Sequence, residues 1–357
     1  MSNLLFKNYF EYEPTHMSSA HGRVNLIGEH VDYNGGLVMP CQLNHQISIW
    51  MARREDRCIN GLSDKFGPMD RDITAPLDGS WLDFVSGALH MIAETGTPVT
   101  GLDLLVSGNV PAGAGVSSSA ALEIALLRGM VDLFGARTIT AVDMAKLAQR
   151  IEHEFIGTQC GIMDQMVSAA AAPGRAMLLD CQTLEFTLNP LFADASFVVM
   201  HSGSSRKLSD GLFNTRLAEC KQAATRLGVD NLGVADAGQL AQLDDAVLVQ
   251  RARHVISEIA RVRSAADRLQ AQDPAGFGAV MNASHASLRD DYAVSSSALD
   301  ELVAAFCEHG AYGARLTGAG FGGCVVALCP HDQVTDIITR VLEACPDAYM
   351  VDVVCQA

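Results

Sequence analysis

The sequence predicts a mixed α+β protein of two domains, and three observations lead there. Strand-like and helix-like runs alternate in both halves of the chain, the pattern of sheets layered with helices. The chain has 357 residues, more than the roughly 250 to 300 that one hydrophobic core fills. Its side chains are 49% hydrophobic and 18% charged, so it holds enough apolar mass for a large core and is not intrinsically disordered. No repeat of about 20 to 50 residues and no low-complexity tract is present, which excludes solenoids and propellers.

The elements follow in order. Leu102 to Ser107 alternates like a strand, and from Ser119 the run Ala120 to Leu127 reads as a buried helix. A second helix is predicted over 141–156, where Met144, Leu147, Ala148, Ile151 and Phe155 fall on one apolar face and Glu152 lies at its edge. Short strands at 176–180 and 196–200 mark a change of texture, followed by long helices at 210–227 and 246–271. A strand at 324–328, a helix at 333–344 and a strand at 348–355 close the chain. The domain boundary is placed near 180, giving an N-terminal domain of 1–180 and a C-terminal domain of 181–357.

Charge narrows the function. Lys plus Arg number 25 against 41 Asp plus Glu, a net charge of -16. That balance argues against nucleic acid and anionic membrane as partners, since both need clustered positive charge. No stretch approaches the roughly 18 uninterrupted apolar residues of a membrane span, and Met1 to Glu11 lacks a basic-then-apolar signal, so a cytoplasmic protein is expected. The ten cysteines include no C-x-x-C pair and read as reduced, mostly packed thiols, Cys160 among them.

The 31 glycines concentrate in three segments, 22–36, 108–115 and 310–323. Three glycine-rich turns far apart in sequence suggest one site assembled from several loops. The middle one leads through Ser117, Ser118 and Ser119 into a helix. Such a turn suits phosphate, because free N–H groups and the positive helix end point at the ligand, while Gly113 and Gly115 permit close approach. Ser119 Oγ is a plausible Mg²⁺ ligand if a nucleotide brings the ion along. It is not a Walker A loop, having no lysine. Taken alone, it reads equally well as a Gly-Ser turn with a serine N-cap.

Longer motifs decide between these. Pro111 to Ala121 (PAGAGVSSSAA) resembles the ATP loop of the GHMP small-molecule kinases, and Gly22 to Gly36 (GRVNLIGEHVDYNGG) resembles the galactokinase signature. Leu316 to Cys324 is similar to the third family segment, with further matches at Cys160 to Gln165, Arg251 to Ile256 and Ser284 to Asp291. The resemblance runs in order from about residue 20 to 328.

It implies a two-domain GHMP fold, with a left-handed β-α-β unit in the first domain, a ferredoxin-like second domain and an active site in the cleft between them. It implies ATP and a small-molecule sugar as substrates, Mg²⁺, and a monomer. By position, Asp164 matches the carboxylate beside the attacking sugar hydroxyl, although an Asp in a first helical turn is a weak base that accepts its proton late. Arg23 matches the arginine next to it. Arg23, Glu29, His30, Asp32, Gly161 and Asp164 match sugar-binding positions; Gly113, Ala114, Gly115, Ser117, Ser118 and Ser119 match the ATP loop; Ser119 and Glu152 match the metal ligands. Trp81 and Phe84 fall where adenine-pocket aromatics are expected, though core packing explains them equally well.

The implied reaction is transfer of a phosphoryl group from ATP to the anomeric hydroxyl of D-galactose. Phe213 departs from the family pattern, which has a tyrosine in contact with the sugar, and His21 replaces a proline before the signature. Phe213 keeps other galacto-configured sugars open: galacturonate, L-arabinose, galactosamine or N-acetylgalactosamine. A sensor that binds galactose and ATP without catalysis is the reading from another class.

Overall fold

The computed structural model describes residues 2–111, 115–204 and 209–356. They form two compact units that interleave in sequence. The first holds residues 1–22, 45–110 and 117–170; the second holds 23–44, 111–116 and 171–357. The last crossing, between Ala170 and Ala171, lies upstream of the boundary expected near 180, and the residues 23–44 and 111–116 belong with the C-terminal half. Interleaving arises because single strands run through both units: His16–Asn25 passes from the first to the second, and Pro40–Arg53 passes back between Asn44 and His45.

In the first unit, Ile47 to Arg53 pairs antiparallel with Leu102–Gly108, which pairs parallel with Cys58–Ser63; a hairpin adds Gly67–Asp72. Helix α1 (Ser2–Phe10) buries Phe6 and Phe10 against Ala52 and Leu105. Helices α2 (Leu82–Glu94), α3 (Ser118–Phe134), α4 (Ala141–Ile151) and α5 (Met163–Ala170) pack on one another. Ala120, Ala121, Ala125 and Gly129 make α3 narrow enough to be buried almost all round. Thr140 caps α4 by accepting from the Asp143 N–H at 3.1 Å, and Met144, Ala145, Ala148 and Ile151 form its buried face. The helix predicted to run to 156 stops being α-helical at Ile151: Glu152–Ile156 is a π turn, ended by Gly157 at φ 82°.

The second unit contains a four-stranded sheet ordered 313–317, 324–330, 195–201 and 349–354, with every neighbour antiparallel. Its central strands are continuously apolar and fully buried, from Phe197 to Met200 and from Cys324 to Leu328. Helices α6 (Ser209–Leu227), α7 (Ala246–Gln270) and α8 (Pro274–Asp290) pack in sequence, and α8 and α9 (Ser297–Glu308) cover the strand 313–317; α10 is Val334–Ala344. Asp245 caps α7 and Asp273 caps α8, each accepting first-turn N–H groups.

Candidate active site

The turn that follows His16–Asn25 belongs to the second unit and is locked at Gly28. Its φ is +100°, and a Cβ there would meet Leu37 O at 2.8 Å and Val38 Cα at 2.9 Å. Its N–H donates to Glu258 Oε1 at 3.0 Å. Glu258 is fully buried and also accepts from Ser284 Oγ at 2.6 Å and from Arg261 Nε at 2.6 Å; against the cost of burial its carboxyl is held down at about 2, by Arg261 first, then by His254 and Arg315, and last by the Ser284 bond.

Glu29 and His30, expected to contact sugar, spend their polar atoms inside this unit. Glu29 accepts from Thr317 Oγ1 at 2.9 Å, from the Gly318 N–H at 2.5 Å and from Asn25 Nδ2, with Arg315 Nη2 at 3.7 Å. His30 donates from Nε2 to Ala319 O at 3.1 Å, so Nδ1 accepts from the Tyr33 hydroxyl at 2.6 Å. Burial lowers His30 to about 3, with neighbouring His254 adding to the effect, and the ring is neutral at physiological pH. These bonds tie the signature to the glycine turn at 316–323, two of the three glycine segments. Asp32 opens the short 3₁₀ turn Asp32–Asn34 and is half-buried. Phe213, on α6, packs its ring 5.9 Å from His30 and 5.5 Å from Tyr33.

Arg23 is buried and reaches the middle glycine segment: Nη1 donates to Gly115 O at 2.8 Å and its N–H donates to Val116 O at 3.2 Å. Gly113 and Ala114 lie outside the described residues.

The first unit carries the other candidates. Ser117 precedes α3 with φ 61°, a left-handed conformation, and does not cap the helix. Instead its hydroxyl donates to Asp164 Oδ2, in the first turn of α5. The first-turn N–H groups of α3 therefore have no side-chain acceptor from the residue placed to supply one. Ser118 and Ser119 form that first turn and are half-buried; Gly161 precedes α5. Trp81 opens α2, buried against Gly61, with its Nε1 unpartnered.

Two residues that the sequence did not single out lie next to these candidates. Lys65, in the turn between strands 58–63 and 67–72, donates from Nζ to Val110 O at 2.8 Å, directly before the phosphate-type loop. Glu123 on α3 is fully buried beside Glu152, and burial, then the Glu152 carboxyl, push it well above the usual carboxylate range. Its Oε1 has no partner, and Gln165 Nε2 lies 3.4 Å from its Oε2. No motif marks Glu123; only its place four residues after Ser119 on a buried helix could have raised it.

Comparison with known proteins agrees over almost the whole chain. Residues 83–172 match the GHMP kinases N terminal domain and 265–347 the GHMP kinases C terminal domain, while 4–53 match the galactokinase galactose-binding signature. The structure is similar to galactokinase from Lactococcus lactis complexed with galactose: TM-score 0.92 and 31% identity, over 99% of this chain and 98% of that one. The chain belongs to the galactokinase family of GHMP kinases.

The wider superfamily shares the fold. Mevalonate kinase from Methanococcus jannaschii gives TM-score 0.70 at 17% identity over 96% of this chain and 99% of that one. Phosphomevalonate kinase from Streptococcus pneumoniae, in complex with phosphomevalonate and AMPPNP, gives 0.70 at 14% over 94% and 98%. Among the described residues of this galactokinase-family chain no helix is long and apolar enough to cross a membrane.

The donor set can be tested against Mg²⁺. Among the described residues no three His, Cys, Asp or Glu groups converge on a metal position. Mg²⁺ needs no such cage, because it keeps several waters and takes one or two protein oxygens plus substrate phosphates. Ser119 and Glu152 carry hard oxygen donors of that number, and the orphaned Glu123 Oε1 beside Glu152 lies in a carboxylate environment short of positive partners. The residues present fit the ion. The Cys160 thiol is pushed up first by burial and then by Glu152 and Asp164, so it is no nucleophile.

Proposed function

We propose that this protein is an ATP-dependent kinase that phosphorylates the anomeric hydroxyl of D-galactose to α-D-galactose 1-phosphate. One observation carries the reading: Asp164, the acceptor-activating carboxylate, is bonded to Ser117, the residue leading into the uncapped N-terminus of α3. A proton acceptor and a phosphate-binding helix end are thus joined by one hydrogen bond. The galactose-binding signature over 4–53 supports the choice of sugar.

In the reaction the sugar O1 forms a bond to the γ-phosphorus as the bond from that phosphorus to the bridging oxygen of ADP breaks. Asp164 orients the hydroxyl and accepts its proton as the new bond forms. Arg23 is held at Gly115 by its own hydrogen bond, a fixed guanidinium in the phosphate-loop segment. First-turn amides of α3 bind phosphate oxygens, and Ser119 with Glu152 would hold Mg²⁺, whose charge offsets that of the phosphates. The test is ADP release with a panel of galactose, 2-deoxygalactose, galactosamine, galacturonate, arabinose and glucose. Galactose is expected to give the highest kcat/KM, and silence across the panel would replace the kinase with a sensor.

A further inference from the structure

The hydrogen bonds around His30 form an unbroken chain. Because Nε2 donates to Ala319 O, the Tyr33 hydroxyl must give its proton to Nδ1. Tyr33 then accepts from the Tyr292 hydroxyl at 2.8 Å, and Tyr292 accepts from the Cys220 thiol at 3.0 Å. Every proton in the chain Cys220, Tyr292, Tyr33, His30 is committed within the protein, and His30 has no lone pair left. Against this chain lies Phe213, a half-buried ring with no polar atom, 5.5 Å from Tyr33 and 5.9 Å from His30. His30 and Tyr33 fall inside the galactose-binding signature.

We propose that Phe213, His30 and Tyr33 make a donor-free wall of the sugar site, and that the site accepts galacto-configured sugars whose hydroxyl facing this wall is missing or replaced by an apolar group. The inference rests on residues 22–36 being a sugar site, as in the proposed function. A site that hydrogen-bonds a hydroxyl rejects the analogue lacking it by large factors, up to about 10⁴ to 10⁵, whereas an apolar wall discriminates by about 10² at most. Loss of the hydroxyl at this wall leaves no protein donor unpaired.

The experiment uses galactose and its 2-, 3-, 4- and 6-deoxy analogues with the full chain, measuring both kcat/KM with ATP and Mg²⁺ and sugar affinity by calorimetry. In the wild type one analogue should stay within about tenfold of galactose while the other three fall by more than about 100-fold. Phe213→Tyr, which adds a hydroxyl at the wall, should shift the ratio at least tenfold toward galactose; Phe213→Leu should keep the wild-type pattern. The proposal is overturned if all four analogues collapse, if all four are tolerated, if Phe213→Tyr leaves the ratio alone, or if Phe213→Leu abolishes the pattern. Should Phe213→Tyr fail to fold, the wild-type panel and Phe213→Leu decide. Binding with the expected pattern but without phosphorylation would sink the kinase and leave the wall standing.

Discussion

The hydroxyl of Ser117 donates to the carboxylate of Asp164, tying the residue that leads into α3 to the first turn of α5. Ser117 makes this bond from a left-handed backbone at φ 61°, a conformation that costs a non-glycine residue about 1 kcal/mol or more. An ordinary N-cap would spend the hydroxyl on the helix instead of on Asp164. Two substitutions separate strain from function. Ser117→Gly relieves the backbone and removes the hydroxyl, so it should hold or raise the melting temperature while lowering kcat; Ser117→Ala should lower both. Asp164→Asn should lower kcat by about 10²-fold or more, the usual yield of a positioned proton acceptor. Near-wild-type turnover in Asp164→Asn would remove that residue from the mechanism.

Periodic elements were legible, and departures from periodicity were not. The strand at 102–107 and the helices at 210–227 and 246–271 appear within about a residue of their expected ends, because long apolar patterns fix them. The apolar face of α4 was equally readable, but it continues unbroken to Phe155, so nothing in the pattern reveals that Glu152 opens a π turn. Such turns are frequent at functional sites and re-aim the side chains they carry. The internal bonds of Glu29 and His30 were invisible for another reason: their partners, Thr317 and Ala319, lie nearly three hundred positions along the chain. Motif matching named both residues but could not show that their polar atoms are engaged in holding another loop.

Glu152 and Glu123 predict opposite responses to loss of charge. Glu152→Gln removes an oxygen anion from the proposed Mg²⁺ set, so half-saturation by Mg²⁺ should rise by more than about tenfold, as should the Kd for Mn²⁺ measured by spin resonance with nucleotide present. Glu123 is raised by burial and by Glu152, so its folded form keeps a proton that the unfolded carboxyl loses above pH 4.5. Its favourable contribution is complete below pH 4.5 and declines as pH rises toward the folded value. Glu123→Gln, neutral at every pH, should therefore stabilise the protein more at pH 7.5 than at pH 4.5. Equal shifts at the two pH values would show that Glu123 is ionised in the fold.

Gly28→Ala should cost stability without touching a catalytic group. The added Cβ meets backbone atoms of Leu37 and Val38, which cannot swing away as a side-chain tip can, and φ +100° is foreign to alanine. Strain of about 1 to 3 kcal/mol is expected, together with displacement of the N–H that meets Glu258. Denaturant unfolding measures the first and sugar affinity the second. Unchanged stability would mean that the signature turn is held less firmly than its contacts indicate.

Acid should destabilise the second unit through two histidines. His30 and His254 are buried, and each uses Nε2 as donor to a carbonyl, of Ala319 and Glu29, and Nδ1 as acceptor, from Tyr33 and Ser287. A proton on either Nδ1 would break an inward bond, and burial lowers His30 to about 3 and His254 to about 4, the latter against the opposing pull of Glu258. Unfolding frees both rings to titrate near 6.5, so between that pH and about 4 the unfolded chain binds up to two more protons than the native one. Stability is complete above pH 6.5 and falls as pH drops, by about 1.4 kcal/mol per pH unit for each histidine. Unfolding in urea at pH 7.5, 6.5, 5.5 and 4.5 should follow that slope, and His254→Gln, which can still donate to Glu29 O, should reduce it by one proton. An unaltered slope in His254→Gln would mean that this ring already carries its second proton in the native protein.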